Sequence, residues 1–293
     1  MNVGAIGSSF LDGLVTGGYL LLIGLSTVIV FRATRVLNIA AGQYMVLGAY
    51  FLYTFEIQLH LSLWISILLA LAASAVAGAL THVIVMKRVI GQPLFVPAII
   101  TLGLAMIITA AVDIVWGGAN IYLPLPVSSQ VYQVKGVAVT TYGVVAIAAA
   151  VLAAGIFLLF ERRTKTGVQL RAAASDPLLA GLSGIPVNRL YIIGWAMGSM
   201  AAAVGGIVIA YSTVLNPGLS NLGLAALAPV VLAGFDNVIA LVIASAITGE
   251  LESFTQLYGN ANASSAVAFG VLLIVVFVRP QGILKTAPAG ARL

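Results

Sequence analysis

Seven stretches of this chain, residues 13–31, 36–55, 57–86, 89–112, 136–160, 190–235 and 253–278, contain no Lys, Arg, Asp or Glu. A helix needs roughly 20 apolar residues to cross ~30 Å of hydrocarbon, so each run is long enough for at least one crossing. When the runs are threaded back and forth, Arg32, Arg35, Lys87, Arg88, Arg162, Arg163, Lys165, Arg171, Arg189, Arg279, Lys285 and Arg292 all fall on one side. Of the 13 Lys and Arg residues only Lys135 falls on the other, with Glu56, Asp113, Glu250 and Glu252. Basic residues collect in short cytoplasmic loops and acidic ones carry little weight. The pattern therefore predicts an amino terminus outside and a carboxyl terminus in the cytoplasm. The fold class is an all-α polytopic membrane protein, a single transmembrane domain over residues 1–293 with about eight membrane segments.

Water-soluble alternatives fail on composition. With 61% apolar residues, 7% charged residues and a mean hydropathy of +1.14, a soluble domain would have no polar surface. The formal net charge of +5 is spread over short loops instead of forming one basic face, which excludes a nucleic-acid partner. The absence of Cys removes disulfides and thiolate metal sites, and His60 and His82 stand alone, so no metal site is expected. The first 31 residues have no basic region before their apolar run. They read as the first span and not as a removable leader.

Residues 223–249 do not fit a simple crossing, because Gly234, Phe235, Asp236 and Asn237 interrupt an apolar run. One reading is a broken or re-entrant pair of half-length helices, 224–233 and 238–248, meeting at a turn within or near the membrane. Irregular backbone at that depth must be buried in protein or line a cavity. The other reading is two ordinary short spans joined by a cytoplasmic turn. Elsewhere Gly194, Gly198 and Ala202 recur every four residues, followed by Gly205 and Gly206, a spacing that lets helix backbones approach closely.

The longest polar connector, residues 161–189, reads ERRTKTGVQLRAAASDPLLAGLSGIPVNR. Asp176 followed by Pro177 marks a helix start and Gly184 a natural stop. Leu178, Leu179 and Leu182 share one face of the short helix between them, preceded by another short helical candidate over 167–174. So short a helix is marginal alone in water, so its apolar face requires a partner on the cytoplasmic side.

The order Thr166-Gly167, Leu170-Arg171-Ala172, Asp176-Pro177, Ala180, Gly184-Ile185 and Arg189 resembles the coupling segment of the branched-chain amino-acid type permease subunits of ABC importers. Similar to the same family are Arg35-Val36-Leu37-Asn38 leading through Gly42 to Leu47-Gly48-Ala49-Tyr50, Thr101-Leu102-Gly103-Leu104, and the closing Phe277-Val278-Arg279-Pro280-Gln281-Gly282. The resemblance covers essentially the whole chain in order. It implies a multi-pass permease subunit in a bacterial plasma (inner) membrane, paired with a second related permease subunit, most simply as a heterodimer. Two cytoplasmic ATPase subunits and an extracytoplasmic solute-binding protein complete such an importer. ATP and Mg would belong to the ATPases, because no GxxxxGK[ST] loop occurs in this chain; it carries no cofactor and no catalytic residues of its own. The ATPase-coupling residues implied are Arg171, Asp176, Pro177, Leu178, Leu179, Leu182, Gly184 and Ile185.

The chain departs from the family where the second span usually reads Asn, an aromatic or aliphatic residue, Ala, His, Gly, then often Glu. Here the order is Asn38, Ile39, Ala40, Ala41, Gly42 and Gln43, so an imidazole becomes a methyl and a carboxylate a neutral amide. Either these positions touch solute and the cargo differs, or they pack. Branched-chain or other amino acids lead as cargo, with urea, amides and small carboxylates as alternatives. Translocation-path candidates are Asn38, Gly42, Gln43, Thr101, Phe235, Asp236 and Asn237, because polar groups in the spans need partners or a lumen; Asn216, beside Pro217 and Gly218, reads as an exterior turn. The competing class is an ion-coupled secondary transporter, which can also build its site on a broken helix. The near absence of central carboxylates and histidines weighs against a proton relay.

Overall fold

A computed structural model describes residues 3–93, 95–124, 131–134 and 137–259, together with 266, 269–270, 273–274 and 277. Lys135, Arg279, Lys285, Arg292 and the closing residues 278–282 lie outside the described residues. Among the described residues the regular structure is helical apart from one short hairpin. In order, the helices are α1 (Val3–Thr34), α2 (Ala41–Tyr53), α3 (Leu63–Ile84), α4 (Phe95–Trp116), α5 (Thr141–Arg163), α6 (Lys165–Ser175), α7 (Pro177–Leu182), α8 (Val187–Ala210), α9 (Leu222–Ala225), α10 (Leu227–Ala233) and α11 (Val238–Tyr258). Among the described residues six helices are long and apolar enough to cross a membrane: α1, α3, α4, α5, α8 and α11. Pro217–Ala233 adds a shorter apolar helical segment.

Three boundaries differ from the sequence expectation. The run 36–55 becomes helical only at Ala41, because Arg35 takes a left-handed backbone (φ 57°) and Asn38 folds its side chain onto the amide of Ala40. The run 136–160 starts as a strand: β1 (Val131–Val134) pairs antiparallel with β2 (Val137–Thr140). Its β-branched residues favour that pairing, and Thr140 then caps α5 by accepting the Gly143 amide. The helix expected over 238–248 instead runs 21 residues to Tyr258, so the second member of the pair is full-length. Gly249 does not stop it, since that glycine lies where α11 crosses α1: a Cβ there would stand 2.3 Å from the Gly13 carbonyl oxygen and 2.4 Å from the Gly17 amide.

The bundle has two distinguishable ends. At one, Arg32 pairs with Glu161, Arg35 faces Asp236, and His82 bonds Asn188 (3.2 Å), joining the ends of α1, α3 and α5 to the start of α8 and the 234–237 turn. All described Lys and Arg residues lie in the segments gathered there. At the opposite end Ser9 bonds Ser253, Trp116 donates to Thr54, and Ile121 bridges to Leu215. There too the Tyr211 hydroxyl donates to Glu56; burial first, and then that carboxylate, push Tyr211 above the ordinary phenol range. The 234–237 turn thus sits at the basic end of the bundle.

α1 and α8 form the centre of the bundle, with α2 enclosed between α8, α3 and α4. The small stripe of α8 is used for packing. A Cβ on Gly194 would meet Ala33 at 2.2 Å, and one on Gly198 would meet Val30 at 2.5 Å. Trp195, Tyr44, Tyr50 and Met45 fill the core around them.

Candidate functional site

The stretch from Val36 to Ala40 is non-helical backbone that ends in a turn at residues 39–40, with Val36, Asn38 and Ala40 buried at 2%, 0% and 0% exposure. Each free backbone group there needs a partner, because neither lipid nor water is within reach. Thr101 on α4 supplies two: its hydroxyl accepts the Ile39 amide (3.3 Å) and reaches the Leu37 carbonyl (3.1 Å), competing with its own Ala98 carbonyl at 2.9 Å. Asn38 Oδ1 accepts the Ala40 amide (3.1 Å), and Thr27 of α1 donates to the Asn38 carbonyl at 3.5 Å. Asn38 and Thr101 are therefore brought together, both fully buried, as clips on the broken backbone that precedes α2.

Gly42 lies where this break meets a second irregular segment. A Cβ on Gly42 would stand 2.1 Å from the Ser220 carbonyl oxygen and 2.9 Å from the Gly223 Cα, so the start of α2 and the start of α9 touch backbone to backbone. One turn on, Gln43 lines a closed nook with Thr109, Pro217 and Ser220, and its Oε1 is buried without a hydrogen-bond partner. Gln43 shares this with Asn38, whose Nδ2 is also buried without a partner while its Oδ1 is held by the Ala40 amide.

Phe235, Asp236 and Asn237 lie elsewhere, in the turn at the basic end. Gly234 at φ 83° and Phe235 at φ 66° reverse the chain, and Asn237 Oδ1 caps α11 by accepting the Ala240 amide (3.0 Å). Phe235 packs on Phe31 with ring centroids 5.3 Å apart. Asp236 faces Arg35, separated from Gln43 by the length of α9 and α10.

The coupling segment has local geometry that follows from its residues. Thr164 caps α6 through the Gly167 amide (2.9 Å). Asp176 Oδ1 accepts the amides of both Leu178 and Leu179 at 2.9 Å, and Pro177 occupies the first turn of α7, where its missing N–H loses nothing. Gly184, at φ 80°, closes the helix, with the Ile185 amide bonded to the Ala180 carbonyl at 3.0 Å. One face of α7 is anchored by Ala180 against Ala173 and Leu190, with Ile185 packed alongside. The other is bare: Leu178, Leu179 and Leu182 are 72%, 60% and 78% exposed, an unpartnered apolar patch at the basic end.

Arg171 does not join that bare face. It turns inward and donates to the Glu161 carbonyl at 2.5 Å. Glu161, 4% exposed, takes the Arg32 guanidinium on both oxygens at 2.7 and 2.6 Å. Sequence reasoning missed this brace. The available signal was a lone acid heading the ERRTK run where a second helix end carries Arg32. Across the seam a cavity of about 150 Å³ is lined by Arg32, Arg35, Glu161, Arg171 and Asp236. A larger groove of about 330 Å³, between α3 and α5 over α1 and α8, has an entirely apolar side-chain lining and so offers a polar solute nothing. Among the described residues no group of three or more His, Asp or Glu side chains could hold a metal ion.

Residues 9–276 match the profile of a family described as the permease component of branched-chain amino acid transport systems. The chain is similar to the high-affinity branched-chain amino acid transport system permease protein BraD of Pseudomonas aeruginosa, 26% identical, covering 93% of this chain and 94% of that protein. It is also similar to LivH of Escherichia coli K12, a permease protein of the same description, at 25% identity and 93% coverage of both chains. A solved structure of PsaBC from Streptococcus pneumoniae in complex with Fab aligns with 92% of this chain and 91% of that one, at 14% identity and a TM-score of 0.49.

Proposed function

The chain belongs to the family of permease components of branched-chain amino acid transport systems, and on that premise we propose how its parts divide the work of an ATP-driven importer. It is a multi-pass permease subunit of the bacterial inner membrane, not an enzyme, that carries branched-chain amino acids or close relatives inward. ATPase and solute-binding subunits are its partners. We assign two cytoplasmic ATPases, one extracytoplasmic solute-binding protein and a second, related permease subunit as a heterodimer. ATP and Mg reside in the ATPases, and this chain holds no cofactor.

In the proposed topology the basic end is cytoplasmic, by the one-sided count of Lys and Arg. α1 runs inward, and α2, α3, α4, α5, α8, the 217–233 segment and α11 alternate after it. The uncharged residues 259–278 are long enough to return the tail to the cytoplasm. That makes nine crossings, an odd number, which keeps the amino terminus outside and the carboxyl terminus inside.

The observation that carries the reading is the exposed Leu178, Leu179 and Leu182 face of a side-chain-capped helix at the basic end. That face fits a groove on an ATPase. Asp176, Pro177, Gly184 and Ile185 hold its shape, and Arg171 braces the segment from behind. Closure of the ATPases on nucleotide favours one bundle state by the difference in contacts they make with the two states. In the path, Gln43 presents its free amide oxygen to solute, Gly42 keeps the α2–α9 contact close, and Asn38 and Thr101 hold the break that aims Gln43. The turn 235–237 serves the cytoplasmic seam.

Co-expression and purification test the reading. The chain is expected to bring down ATPase subunits, and uptake in proteoliposomes is expected to require ATP. Uptake driven by an ion gradient without those subunits would establish a secondary transporter instead. Gln43→Ala is expected to change the competition profile among amino acids, and an unchanged profile would remove Gln43 from the path.

A further inference from the structure

We infer that Arg35 transmits movement of the coupling segment to the α10–α11 turn, an inference that rests on the docking of ATPases at α7 proposed above. Three described residues other than glycine have positive φ, Arg35 (57°), His60 (52°) and Phe235 (66°), and two of them meet at the basic end. A left-handed backbone at a bulky residue persists only where its surroundings over-determine it, and such residues concentrate at switch regions. Here the surroundings are shared: the Phe235 ring packs on Phe31, and the Arg35 guanidinium lies 5.6 Å over the same Phe31 ring.

Arg35 bridges two bodies. One guanidinium nitrogen donates to the Ala174 carbonyl near the end of α6 at 3.2 Å, and another faces the Asp236 carboxylate at 3.8 Å. The second distance is beyond a hydrogen bond, and both side chains are open to water, at 52% and 25% exposure. The neighbouring pair is its opposite. Arg32 and Glu161 are short, bidentate and buried, fixing the end of α5 to α1 in one geometry. Between the two pairs lies the 150 Å³ polar cavity, with room for several waters, so the seam can narrow without disturbing any packed side chain.

The inner side of this linkage leads to the path. Asp236 lies in the turn that follows α10; α10 is preceded by α9, and Gly223 of α9 touches Gly42, one residue before Gln43. A shift of α6 toward the bundle draws Asp236 along through Arg35 and changes the seating of α9 on α2. Arg32 holds; Arg35 moves.

Arg35→Asn isolates the guanidinium, because asparagine tolerates a left-handed backbone. In the complete importer reconstituted in proteoliposomes, this variant is expected to keep its ATPases and hydrolyse ATP while moving about tenfold less solute per ATP, within the usual range of coupling between sites. Asp236→Asn is expected to lower the ratio comparably, and the double variant no further than either single one, because both changes cut the same link; two independent structural roles would add. An unchanged ratio in Arg35→Asn, an additive fall in the double variant, or loss of assembly in Arg35→Asn would each overturn the inference. Failure of the unaltered chain to retain ATPases would instead refute the docking reading beneath it.

Discussion

The break before α2 and the coupling segment before α8 both interrupt long helices, and they are finished in opposite ways. The first is closed with neutral groups: hydroxyls of Thr27 and Thr101 and the amide oxygen of Asn38 answer its backbone, and only the Asn38 Nδ2 and the Gln43 Oε1 beside it are buried without a partner. The second is finished with charge and left bare, with Arg171 and Glu161 behind it and three leucines facing outward. Inside the bundle an unmade hydrogen bond has no water to replace it, so the backbone groups of the break are answered by side chains. At the basic end water satisfies what is unfinished, so a surface can be reserved for a partner.

The largest effect that would break this contrast lies on the bare face. Leu178→Asp together with Leu182→Asp is expected to abolish ATPase co-purification and uptake while the bundle's thermal unfolding in detergent stays unchanged; a lowered unfolding temperature would mean that the face packs on this chain itself. Next comes the buried charge. Arg32→Ala removes the guanidinium from a Glu161 carboxyl group that is 4% exposed, at a cost of about 3 kcal/mol, readable as a fall in thermal stability. The neutral clip is expected to matter less: Thr101→Val keeps the shape but strands the Ile39 amide and Leu37 carbonyl, costing about 2 kcal/mol, while Thr101→Ser stays close to the unaltered protein. The smallest loss, about 1 kcal/mol, is expected for Asp176→Ala, which removes one cap from a two-turn helix; ATPase affinity measured by titration should weaken modestly, and Asp176→Asn should retain it.

What could be read from the chain follows the same division. Asp176, Pro177 and Gly184 act on amides and carbonyls within a few residues of themselves, so their helix was legible with nearly its observed ends. The basic side was legible because topology depends on charges counted loop by loop. Thr101 was visible only as a polar residue in a span, because its partners at 37 and 39 lie more than sixty residues away in sequence. The length of α11 was hidden by Gly249 and Glu250, which resemble a helix end. They are instead a crossing point, where the Glu250 carboxylate lies over Gly13. The depth of the 234–237 turn depended on that length, and so on contacts between α1 and α11 that no local pattern carries.

The chain has no cysteine, which makes one measurement direct. A single cysteine introduced as Ser183→Cys, beside the bare leucines, can be labelled with a membrane-impermeant maleimide in right-side-out and inverted vesicles, with and without ATPase subunits. Labelling only in inverted vesicles, and its suppression when the ATPases are bound, is the predicted result. Labelling from the periplasmic face, or labelling in inverted vesicles that bound ATPases leave untouched, would contradict the account.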